Sequence, residues 1–163
     1  MPPKKRPRKA KSNTRGALAT ETLLPELTGD ALAAKDAIER SGGVVTGQYL
    51  DPLGGSPLLV AVLPLDKVEP TPFQRDVSDA HHKKLADVLD RTGIFLDPII
   101  AITAPKEGFW TPNGGHRLAA MRRLGAKAIT ALVVPKREVA WQILALEAVA
   151  STAPTRNDSQ RLR

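Results

Sequence analysis

Cysteine is absent from the 163 residues, which removes thiol nucleophiles, disulfides, Cys-ligated zinc and any cysteine redox cycle. Aromatics are scarce at 4% (Tyr49, Phe73, Phe95, Phe109, Trp110 and Trp141). No apolar run approaches the roughly 18 to 20 residues that span a bilayer, and the charged N-terminus is not followed by an apolar stretch. The expectation is a protein without a membrane anchor or secretory signal, located in the cytoplasm. Acidic side chains are missing from the first twenty positions, where Glu21 is the first to appear.

What fills those positions is base. The chain has 24 basic and 17 acidic residues and a net charge of +7. Seven of the bases (Lys4, Lys5, Arg6, Arg8, Lys9, Lys11 and Arg15) stand in the first fifteen positions, so the rest of the chain is neutral. This proline-rich basic stretch has almost nothing to bury, and residues 1–25 are expected to be a disordered tail. Its chemistry is electrostatic: attachment to nucleic acid phosphates without sequence preference, weakened by salt. A merely solubilising terminus is the alternative.

Beyond the tail, residues 30–57 read as a short helix, with Asp30 as N-cap and Gly42-Gly43 as the stop, followed by a Gly/Pro-rich linker. Residues 58–150 carry the expected core. Strand-like runs at 58–63 and 65–68 are broken by Pro64, and a loop precedes a helix over 78–93 whose inward face is read as Leu85, Val88 and Leu89. A hairpin then joins 98–103 to 109–111, a glycine turn opens a helix that ends at Gly125, and a strand over 128–134 leads to a helix over 136–149. In that last helix Val139 and Ile143 are read as facing inward. Residues 151–163 read as a polar tail. The order predicts an α+β fold, a mixed sheet with flanking helices.

The segment with most chemical content is Asn113-Gly-Gly-His-Arg117. Two glycines at a strand-to-helix turn allow close backbone approach, and a helix N-terminus offers free N–H groups carrying partial positive charge. His116 and Arg117 add donors, Arg117 with a fork suited to phosphate. The plain alternative is a tight turn with Arg117 engaged locally. His81 and His82 are adjacent in sequence, the wrong spacing for a metal pair on one helical face; His81 is read as lying beside the buried stripe and His82 as facing solvent.

Four motifs resemble the N-terminal domain of ParB-type partition proteins, in the superfamily that includes sulfiredoxin. They are Leu63-Pro-Leu-Asp-Lys-Val-Glu-Pro-Thr-Pro-Phe-Gln-Arg75, Lys84-Leu-Ala-Asp-Val-Leu-Asp-Arg-Thr-Gly93, Asp97-Pro-Ile-Ile100 and Gly114-Gly-His-Arg-Leu-Ala-Ala120. The resemblance implies binding of CTP, or ATP, with Mg²⁺. The phosphates would lie against Gly114, Gly115, His116 and Arg117, with Gln74 and Arg75 nearby. It also implies a nucleoid-associated role in DNA partition or regulation, with DNA, a ParA-like ATPase and a second copy of the chain as partners.

Three departures mark the sequence. The acidic residue of the partition-protein box is Gly115 here and its next arginine is His116. The sulfiredoxin box carries a Cys that this chain lacks, which excludes sulfinic-acid reduction. The downstream metal-binding helix has only Glu147 in a corresponding position. Asp76, Asp79 and Glu147 are therefore the candidate carboxylates for a metal or a base, against helix capping or plain solvation. Two alternatives to a nucleotide-binding module stay open: a nucleotide-dependent phosphotransferase or nuclease, and an inactive partition-protein fragment.

Overall fold

The computed structural model describes residues 14–72 and 78–142. Strands β1 (Val44–Leu50), β2 (Pro57–Pro64), β3 (Val68–Pro70), β4 (Ile99–Thr103), β5 (Phe109–Thr111) and β6 (Ala128–Val133) form one sheet in the order β1-β2-β6-β4-β5-β3. The β1/β2, β2/β6 and β4/β5 pairs are antiparallel, whereas β4/β6 and β3/β5 are parallel. Helices α1 (Gly29–Arg40), α2 (Asp79–Thr92) and α3 (Gly115–Arg123) accompany it, and a fourth helix starts at 137 and is described to 142. The fold is α+β with a mixed sheet, as the sequence implied. No helix among the described residues is long and apolar enough to cross a membrane.

Period-two alternation sorts the sheet into two faces. Leu59, Ala61 and Leu63 of β2, Ile129, Ala131 and Val133 of β6, and Ile99 and Ala101 of β4 are buried together under Ala34 and Ile38 of α1 and Leu118 of α3. The opposite face carries Leu58, Ile100, Ile102 and Trp110 against Val134 and Ala140. The Trp110 and Trp141 rings meet edge to face at 6.1 Å.

Five expectations change. Val44–Leu50, read as linker, is a strand: its glycine and polar residues suit an edge position that is only half-buried, and it pairs with β2 through a register shift between Val45 and Gly47. Residues 17–24, read as disordered tail, lie along β1. The Ala17 amide donates to Pro52 O at 2.7 Å, Gln48 Nε2 donates to Leu24 O at 2.8 Å, and Leu23 bridges Tyr49. Helix α1 starts at Gly29 after Thr28, which moves Asp30 from N-cap into the first turn, where its charge still suits the dipole. In α2 the inward positions are His82, Leu85, Ala86 and Leu89, whereas Val88 is 52% exposed and His81 is exposed. The helix is turned by about one residue from the expected phase, so the histidines exchange places. In the last helix Ala140 is buried and Val139 exposed. Ile143, the rest of that helix and the tail 151–163 lie outside the described residues.

Candidate functional site

The loop from β5 to α3 is built tightly. An added Cβ on Gly114 would stand 2.5 Å from both Ile99 Cγ2 and Thr111 Oγ1, so only glycine fits where the turn presses on β4. Its amide donates to Thr111 Oγ1 at 3.0 Å, and Asn113 Oδ1 accepts from the Ile100 amide at 3.3 Å. Thr111 is completely buried. Side chains thus rivet the turn to both strands of the hairpin. Helix α3 follows with no side-chain cap on its N-terminus and with Gly115 buried in the first turn. The N–H groups of that turn have no intrahelical acceptor by construction, and the dipole adds positive potential there.

Arg117 turns back from α3 toward the chain entering β4. Its Nη1 donates to Asp97 O at 3.1 Å and Pro98 O at 2.9 Å, and its Nη2 donates to Asn113 O at 3.3 Å. The same Nη1 lies 3.0 Å from Asp97 Oδ1, with the Arg117 side chain 17% and the Asp97 side chain 83% exposed. The guanidinium fork is therefore spent largely on backbone carbonyls. It clips residues 97–98 to the turn, the local engagement that the sequence offers as the alternative to phosphate grip.

His116, exposed in the first turn of α3, meets His81 of α2 with ring centroids 5.5 Å apart and planes at 70°. The sequence pattern does not reveal this pairing, because it puts His81 on the buried side of its helix. The contact depends on α2 packing across α3. Thr71, at the end of the strand that pairs with β5, is 3% exposed, and its hydroxyl has no partner among the described residues. Its amide donates to Thr111 O at 3.4 Å, which places it beside the turn.

The structure brings together Gly114, Gly115, His116 and Arg117. Gln74, Arg75 and Asp76 lie outside the described residues, as do Glu147 and all of the basic tail except Arg15, which is exposed. Asp79 is in the first turn of α2, 86% exposed, with its carboxylate 3.9 Å from His82 Nδ1, so it serves its own helix. Among the described residues no group of three His, Asp or Glu side chains could hold a metal ion. Clefts of about 600, 510 and 210 Å³ lie elsewhere, none of them lined by residues 114–117.

No family model matches the sequence, and no curated protein matches it either. Among solved structures the chain is similar to a free serine kinase in complex with AMP, at 24% identity over 46% of this chain and 30% of that one, with a TM-score of 0.42. It is similar to sulfiredoxin from Arabidopsis thaliana at 25% identity over 45% of this chain and 82% of that one, TM-score 0.39. It is also similar to the C-terminally truncated chromosome-partitioning protein ParB from Caulobacter crescentus complexed with CTP-γ-S, at 20% identity over 59% of this chain and 55% of that one, TM-score 0.47. The chain corresponds to less than a third of the kinase and about half of that ParB.

Proposed function

We propose that this domain binds the phosphate chain of a nucleotide, CTP or ATP, at the first turn of α3, and that the basic N-terminal stretch attaches it to DNA. The observation that carries the reading is the uncapped α3 N-terminus on a glycine turn too tight for any side chain at Gly114. Backbone N–H groups there suit anionic oxygens, and His116 in that turn, with His81 beside it, adds imidazole donors. Arg117 acts as a positioning residue that holds one wall of the site. The described residues offer no cage for Mg²⁺, so no step is assigned to it. The resemblance to partition proteins makes a ParA-like ATPase and a second copy of the chain the protein partners to test.

Calorimetric titration with CTP, ATP and GTP tests this. Saturable binding of at least one is expected, weakened about tenfold by His116→Ala and less by His81→Ala, the scale of one charge-assisted hydrogen bond. No binding at millimolar nucleotide, or identical affinity in both variants, overturns it.

The DNA arm is separable. Because residues 17–24 are bound to β1, the cut that spares the fold falls after residue 13 rather than in the twenties. Deleting 1–13 removes Lys4, Lys5, Arg6, Arg8, Lys9 and Lys11. It is expected to flatten the dependence of log K for duplex DNA on log salt, by roughly 0.9 for each phosphate that is no longer neutralised, while nucleotide affinity stays unchanged. An unaltered salt slope contradicts the assignment.

A further inference from the structure

A second feature stands at the opposite end of the hairpin. Strand β4 begins beside the α3 turn and ends at Thr103, about 13 Å away at the usual rise per residue. There a cleft of about 600 Å³ opens between α1, the β4–β5 turn and the start of the 137–142 helix. It exists because α1 presents the small side chains Ala33, Ala34 and Ala37 to it. Gly108, at φ +79°, holds the hairpin turn close to Lys67: a Cβ on it would stand 2.6 Å from Lys67 O.

The charged lining comprises Arg40, Lys67, Lys106 and Arg137 against Asp30 and Glu107. Among the described residues none of these six makes a side-chain ion pair or hydrogen bond, unlike Arg117 and Arg122. Arg137 Nε is moreover buried without a partner. A charged N–H donor withdrawn from water with no acceptor is a cost, and an incoming oxygen relieves it. With four bases against two acids the lining carries an excess of positive charge, which an anion between the bases offsets. The volume lies in the range of small-ligand sites, and the four bases argue against an apolar or cationic occupant.

We propose that this cleft is a second anion site, distinct from the α3 turn, for a small phosphorylated ligand carrying at least two negative charges. Arg137 Nε and Arg40 supply directed donors to the phosphate oxygens, with Lys67 and Lys106 as point charges at the mouth. Lysine placement at the mouth suits a charged group that enters from solvent.

Inorganic pyrophosphate titrated into the full chain is the probe, read by amide and arginine Hε–Nε resonances at constant ionic strength. Saturable shifts are expected at the Arg137 Nε signal and at the amides of Ser41, Ala104 and Gly108. Arg137→Gln and Lys106→Gln, each at a site outside the core, are expected to weaken the cleft response about tenfold, and His116→Ala to leave it unchanged. Shifts confined to residues 114–117, shifts reproduced by matched chloride, or a response unaltered by both cleft variants overturns the proposal. Because His116→Ala addresses the α3 turn alone, failure of the cleft site and failure of the nucleotide reading give different results.

Discussion

Gly114→Ala is expected to lower the melting midpoint by about 10 °C, from roughly 3 kcal/mol of overpacking in a domain of this size. The added methyl would meet Ile99 Cγ2 and Thr111 Oγ1 at 2.5 Å and Ile99 Cβ at 2.8 Å. Ile99 is fully buried in the main core, and Thr111 Oγ1 already accepts the Gly114 amide, so neither neighbour can withdraw without breaking something else. Relief therefore has to come from moving the turn, which displaces the α3 N-terminus. Nucleotide affinity should fall along with stability. Calorimetric melting of the variant, with Ile99→Ala and the double variant, checks the mechanism: the double is expected to lose less than the sum of the singles. A melting point within a degree of the parent would show that the turn is looser than its geometry.

Arg117→Ala is the second large effect. It deletes the donors to Asp97 O, Pro98 O and Asn113 O, which costs about 2 kcal/mol, whereas the ion pair with the exposed Asp97 carboxylate adds little. Residues 94–98 should exchange their amides faster, because the clip that fastens them to α3 is gone. Arg117→Lys should restore only part of this, since one ammonium cannot reach three carbonyls in the geometry of a planar fork. Hydrogen exchange and nucleotide titration on the same variants separate two roles. Loss of affinity with unchanged exchange at 94–98 would mean that the guanidinium grips the ligand itself, as the residue pattern alone suggests.

The contrast between these two residues shows what a linear sequence carries. The glycine turn is legible because it is local: two glycines between a strand and a helix mark a tight turn wherever the rest of the chain lies. Arg117's engagement is not, since its acceptors are carbonyls brought there by the lead into β4. The same holds for His81, whose partner His116 comes from another helix. The phase of its own helix is hard to read because Val88 has the composition of a core residue and is exposed. Strand β1 is hidden for a related reason. Glycine and polar residues are tolerated at a half-buried sheet position, so Val44–Leu50 has loop-like composition, and its pairing with β2 is a long-range fact. The four cations of the second cleft are scattered over about a hundred residues of sequence and meet only in the folded chain.

The segment 17–24 along β1 bears on how this domain can meet other proteins. A sheet grows by adding strands at its edges, where unpaired N–H and C=O groups wait. One edge, β1, is bridged by the chain's own Leu23 at Tyr49 and broken by a register shift between Val45 and Gly47, and the other, β3, is three residues long and ends in a proline that has no N–H to offer. Among the described residues both ends are thus poor templates for a long added strand. Recruitment of a partner, a second copy included, is then expected to favour helix faces and clefts, where side chains rather than backbone decide who fits.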